Sequence, residues 1–154
     1  MGNTEEAIKE MIYLLDYEAK RNGISIDFIS DEKPVYLCGN ASDFKMIVIN
    51  LIQNAIKAMP DGGNLKIVLK QTKQKIKLLF EDSGCGIAHK DIQRIFEPFY
   101  STSQGLGASG TGLGLPIVKS IVGKLCGKIK VKSKLGKGSE FMLEFDVEKK
   151  KTDK

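Results

Sequence analysis

The spacing of apolar residues switches repeatedly between a period near 3.6 and a period of 2, and those switches decide which elements this chain can form. Ile8, Met11, Ile12, Leu15 and Ala19 share one stripe of a helix that Thr4 can cap. Glu5 and Glu6 lie in its first turn, and Asn22 and Gly23 end it. Ile24, Ile26 and Phe28 then alternate as a strand, and residues 35–38 make a short second one. Ser42 or Asp43 opens a second helix that buries Phe44, Ile47, Val48, Leu51, Ile52, Ala55 and Met59, and Pro60, Asp61, Gly62 and Gly63 stop it. Leu65, Ile67 and Leu69 face Ile76, Leu78 and Phe80 across a hairpin connected by residues 71–75. A short helix with Ile92 and Ile95 ends at Pro98, and residues 100–110, which lack periodicity, are expected to form a mobile loop. The third long helix carries Leu113, Ile117, Val118, Ile121, Val122 and Leu125. Strands over 128–132 and 140–147 close the chain around a turn at Gly136, Lys137 and Gly138. Helices grouped in this way, rather than strictly alternating with strands, predict a two-layer α/β sandwich without repeats or linkers.

Composition narrows the function classes. At 154 residues with 42% hydrophobic and 28% charged residues, the chain has the make-up of one globular domain. The net charge of +5 is scattered, and its main run, Lys149 to Lys151, reads as a solvated tail. Aromatics are 7% and are not interleaved with the basic residues, which argues against nucleic acid. Cys38, Cys85 and Cys126 form no C-x-x-C pair, and an odd thiol suits a reducing compartment. No apolar run approaches the ~20 residues of a membrane span, and no secretion signal is present. A soluble cytoplasmic domain is expected.

Three constellations carry chemistry. Asn50, Asn54 and Lys57 fall on one stripe of the second helix, beside its apolar face. Amide oxygens suit Mg²⁺ and a lysine suits phosphate, although the stripe alone also fits an ordinary helix boundary. Asp82, Gly84 and Gly86 follow an apolar strand: the carboxylate can accept from an exocyclic amine, and the glycines allow a close turn. A plain Asp-Ser-Gly turn would look the same. Residues Gly105 to Gly110 match G-x-G-x-x-G, but no parallel strand precedes them and Lys130, not an acid, lies 20 residues beyond. A Walker A loop fails too, because no glycine precedes Lys119. What remains is Gly110, Thr111, Gly112, Leu113, Gly114 and Leu115 entering a helix whose free N–H groups favour an anion.

Together, Asn50-x-x-x-Asn54-Ala55-x-Lys57, Asp82-x-Gly84-x-Gly86-Ile87, Phe96-Glu97-Pro98-Phe99 and Gly110-Thr111-Gly112-Leu113-Gly114-Leu115 stand in order. They resemble the N, G1, F and G2 boxes of the catalytic ATP-binding domain of sensor histidine kinases, in the superfamily of gyrase, heat-shock chaperones and MutL-type repair proteins. The likeness covers residues 5–147. It implies the Bergerat fold, a mixed sheet packed against about three helices, with ATP held under a mobile lid at residues 100–109. By that resemblance Asp82 accepts from the adenine amine, Gly84 and Gly86 let the chain close around the base, and Ile87 and Leu113 line its pocket. Asn54 holds Mg²⁺; Asn50 and Lys57 face the phosphates; Thr102 and the amides of residues 110–115 bind phosphate oxygens. Ser139 stands near the adenine where the family commonly has threonine.

Two positions depart from the pattern: Ser103 replaces a common basic residue in the early lid, and Ala58 replaces a common tyrosine over the base. The resemblance implies γ-phosphoryl transfer to a histidine on a separate dimerisation helix, with a response regulator downstream. Hydrolysis is disfavoured, because Asn50 stands where hydrolysing relatives place a glutamate base. The only histidine, His89, lacks the acceptor pattern and reads as a surface residue. Residues 1–154 are therefore expected to be an excised catalytic domain, monomeric, without direct membrane contact and with little activity alone. A non-catalytic nucleotide sensor is the alternative.

Overall fold

The computed structural model describes residues 3–31, 36–37, 39–98, 100 and 114–147. Of the residues singled out above, Cys38, Phe99, Thr102, Ser103, Gly105, Gly110, Thr111, Gly112, Leu113 and Lys149 to Lys151 lie outside these, as does the lid expected over residues 100–109 apart from Tyr100. The elements run α1 (Thr4–Arg21), β1 (Ile24–Ser30), α2 (Ala41–Ala58), β2 (Gly63–Gln71), β3 (Lys75–Asp82), α3 (His89–Ile92), α4 (Gly114–Lys124), β4 (Lys128–Lys134) and β5 (Gly138–Asp146). The five strands form one mixed sheet in the order β1-β2-β3-β5-β4. β1 and β2 are parallel, joined through α2, and the remaining pairs are antiparallel.

The hydrophobic periods explain the two layers. Along β3, Ile76, Leu78, Phe80 and Asp82 are buried while their neighbours are wholly or partly exposed; β5 alternates likewise with Phe141, Leu143 and Phe145. That face meets α2, which packs between α1 and α4 and buries Phe44, Ile47, Val48, Leu51, Ile52 and Ala55. Phe44 meets Phe145 edge to face at 6.2 Å, joining helix layer to sheet. Each such fully buried side chain contributes about 1.5–3 kcal/mol of transfer free energy.

Several boundaries differ from the sequence expectation. Asn3, not Thr4, caps α1 by accepting from the Glu5 N–H at 2.8 Å. Thr4 becomes the first helical residue and is fully buried, its hydroxyl unpartnered among the described residues. Likewise Asn40, not Ser42 or Asp43, caps α2, accepting from the Ser42 N–H at 2.7 Å. Asparagine caps as well as serine, threonine or aspartate do, so packing chooses among adjacent candidates. Where a strand was expected over 35–38, the described residues show a single bridge from Leu37 to Val147. β4 runs to Lys134, β5 begins at Gly138, and the β2–β3 turn tightens to residues 72–74.

Candidate functional site

Asp82 ends β3 on the helix-facing side and is only 6% exposed. Its Oδ1 accepts from the Gly84 N–H at 2.8 Å and the Ser139 N–H at 3.3 Å. Burial pushes the carboxyl above its ordinary value, and the two backbone donors pull it partly back. Oδ2 has no hydrogen-bond partner among the described residues. A buried acceptor aimed by two amides but left half-used is suited to an incoming N–H donor.

The turn after Asp82 is wedged between two other elements. The Cys85 N–H donates to the Ala58 carbonyl at 3.0 Å, and the Gly136 N–H donates to the Cys85 carbonyl at 2.7 Å. A Cβ on Gly84 would lie 2.5 Å from the Ala58 oxygen. On Gly86, which has φ +76°, it would lie 2.1 Å from the Lys134 oxygen. The close approach these glycines permit is therefore to the protein's own backbone at the end of α2 and of β4. Gly138 does the same from the far side, with φ +109° and a virtual Cβ 2.1 Å from the Asp82 oxygen. That contact seats Ser139 beside Asp82 in the β3–β5 register. Ile87 follows the turn and joins the core at 2% exposure.

Midway along α2, a Cβ on Gly114 would lie 3.2 Å from Asn50 Oδ1, so Asn50 stands against the N-terminus of α4. Its Nδ2 donates to the Met46 carbonyl at 2.8 Å. Asn54 and Lys57 make no side-chain hydrogen bond or ion pair among the described residues; Asn54 is half-buried and Lys57 exposed. From Asn50 to Lys57 the helix rises about 10 Å. The stripe thus links the α4 terminus, with Gly114 and the half-buried Leu115, to the Asp82–Gly86 turn. Among the described residues no group of three His, Cys, Asp or Glu could hold a metal unaided.

This arrangement places a buried acceptor, a polar helix stripe and a glycine-led helix terminus around one another. The family model for histidine kinase-, DNA gyrase B- and HSP90-like ATPases matches residues 39–149. The chain belongs to that family.

Sporulation kinase A of Bacillus subtilis is 36% identical over 143 residues, covering 93% of this chain and 23% of the relative. Across three such sporulation kinases the chain spans between 19% and 32% of the relative's length. The nucleotide-free catalytic domain of histidine kinase ThkA superposes with TM-score 0.82 at 29% identity, covering 94% of this chain and 95% of that one. ThkA is also known in complex with a response regulator protein, TrrA. Full-length ShkA bound to AMPPNP superposes with TM-score 0.81 at 25% identity, over 93% of this chain and 30% of that one. No helix among the described residues is long and apolar enough to cross a membrane.

Two features of this ATPase-family domain escaped the sequence reading. Ser133 lies inside the Asp82–Ser139 cluster, its Oγ accepting from the Ile87 N–H at 2.7 Å. The available signal was a polar residue at the third inward position of β4, after Ile129 and Val131. The second is Asp91 of α3, 3% exposed, which accepts from the Tyr100 hydroxyl while the Arg94 guanidinium covers the Tyr100 ring at 4.5 Å.

Proposed function

We propose that this domain binds ATP with Mg²⁺ and donates the γ-phosphoryl group to a histidine on a separate dimerisation helix, as the catalytic module of a two-component signalling kinase. The observation that carries the reading is the half-used, buried Asp82 carboxylate at one end of the α2 stripe with the α4 N-terminus at the other. An acceptor at one end suits the exocyclic amine of adenine, and free helix N–H groups at the other suit phosphates. The AMPPNP complex of the similar ShkA supports the same ligand class.

In this mechanism Asp82 orients the base, Ile87 and Leu113 give it apolar walls, and Gly84 and Gly86 hold the turn that carries Asp82. Amides of Gly110, Thr111, Gly112, Leu113, Gly114 and Leu115, together with Thr102, take the phosphate oxygens. Lys57, at the Asp82 end of the stripe, adds a point charge on a long exposed side chain that reaches toward the phosphates. The Asn54 amide, unpartnered among the described residues, is a hard oxygen donor of the kind Mg²⁺ accepts alongside phosphates and water. When bound, the metal neutralises charge developing on the transferred group. Asn50 positions the phosphate end but, being an amide, has no basicity with which to activate water. Its place favours transfer by alignment over hydrolysis.

The acceptor comes from elsewhere: His89 is exposed at the start of a four-residue helix, outside the α2 stripe. A response regulator then receives the phosphoryl group. We place the domain in the cytoplasm, acting as a monomer until joined to its dimerisation helices and touching neither nucleic acid nor membrane. The test is incubation with γ-labelled ATP, Mg²⁺ and a separately purified histidine-bearing dimerisation domain. Acid-labile label on the acceptor is expected, and its loss in Asn54→Ala. Nucleotide binding without transfer to any cognate acceptor would recast the domain as a nucleotide sensor. Brisk hydrolysis unaffected by Asn50→Ala would remove the role given to Asn50.

A further inference from the structure

The hydroxyl pair behind Asp82 has a determinate proton order. Ser133 Oγ accepts from the Ile87 N–H at 2.7 Å, donates to the Gly138 carbonyl at 3.0 Å and lies 2.8 Å from Ser139 Oγ. A serine hydroxyl has one proton and two acceptor lone pairs. With its proton on the Gly138 carbonyl and one lone pair facing Ile87, Ser133 can make the third bond only by accepting from Ser139. All three bonds coexist only in that arrangement. The Ser139 proton then points at Ser133, and the hydroxyl of Ser139 has only lone pairs left to offer.

Ser139 is the register partner of Asp82, and its N–H holds Asp82 Oδ1. The neighbouring Asp82 Oδ2, also an acceptor, has no partner among the described residues. Side chains at this corner therefore present acceptors alone, and they are nearly buried, at 6% exposure for both Asp82 and Ser139.

We propose that Ser133 is a positioning residue for base selection: by taking the Ser139 proton it makes the Asp82–Ser139 corner an acceptor-only edge that admits a 6-amino purine and rejects a 6-oxo purine. The proposal rests on the nucleotide reading above. A 6-amino group brings N–H donors to this edge; a 6-oxo group brings a lone pair against lone pairs at a nearly buried corner. Ser133 itself does not touch the base. Removing its hydroxyl frees the Ser139 proton to rotate outward, where it can meet a 6-oxo group.

The experiment is calorimetric titration of the full chain with ATP and with inosine triphosphate, which carries an oxo group in place of the 6-amine and a proton on N1. The wild-type domain is expected to prefer ATP. Ser133→Ala should lower that preference by about fivefold, the effect of one hydrogen bond. Ser133→Thr, which keeps the hydroxyl, should retain it. Ser139→Ala should lower it without needing Ser133→Ala to fold, and adding Ser133→Ala to Ser139→Ala should change the ratio no further. Equal weakening of both nucleotides by Ser133→Ala would show a merely structural role and overturn the proposal while leaving the nucleotide reading intact. Absence of ATP binding by the wild-type domain would overturn both.

Discussion

At the scale of single residues, Asp82 sets function against stability. Burial lifts its folded pKa above the ordinary 3.8. Because the folded value is the higher one, ionisation costs stability. The loss sets in as pH rises above about 3.8 and grows until pH has passed the folded pKa. The folded domain then carries a buried charge whose natural compensation is a ligand donor. Asp82→Asn keeps an oxygen for the Gly84 and Ser139 amides and removes the charge. Without nucleotide its melting temperature at pH 7 should equal or exceed that of the wild type. Its affinity for ATP should fall about 10- to 100-fold, the worth of a hydrogen bond to a charged group. Thermal melts and calorimetry on one preparation check both, and a destabilised variant with normal ATP affinity would contradict the assignment.

At the scale of elements, the site is a junction held by backbone contacts of the Asp82–Ile87 turn, the end of α2 and the β4–β5 turn. Gly86 is indispensable there for two reasons: its φ of +76° strains any side chain, and the Lys134 carbonyl occupies the Cβ position. Gly86→Ala should therefore destabilise the domain by more than about 2 kcal/mol in denaturant titration. Gly123 makes the contrast. It lies near the exposed end of α4 with nothing within 4 Å of a virtual Cβ. Gly123→Ala should stabilise by about 0.5–1 kcal/mol, through helix propensity, and leave ATP affinity unchanged. The helix caps belong to this scale too. Asn3, Thr4, Asn40, Ser42 and Asp43 all have the chemistry to cap, and the inward turn of Thr4 into the core decides the first case.

At the scale of the whole molecule, one core runs beneath all three long helices and the sheet, so nucleotide binding at the proposed site would be coupled to global unfolding. With Mg-ATP at a hundred times its Kd, linkage adds about 2.7 kcal/mol. For a chain of this size that is a rise of roughly 5–10 °C in Tm. A melt with and without Mg-ATP checks it; at the same ATP concentration the stabilisation should shrink to about 0.4–1.4 kcal/mol in Asp82→Asn. No shift in the wild-type domain at any ATP concentration would count against nucleotide binding altogether.

By itself, the sequence determined the periodic segments and marked the residues to which we assign chemistry. Leu65, Ile67 and Leu69 on β2, the buried face of α2, and the order Asn50, Asn54, Lys57, Asp82, Gly84, Gly86 were all legible, because local period and short motifs are written in neighbouring residues. Tertiary structure alone decided that β5 lies between β3 and β4, that residues 36–37 contribute a bridge at Leu37, and that Ser133 completes the Asp82–Ser139 corner. It also decided what the glycines at 84, 86 and 138 are pressed against. The physical reason is range: strand pairing joins residues as far apart as Lys75 and Asp146, 71 positions, and the Asp82–Ser139 corner spans 57, which no local pattern records.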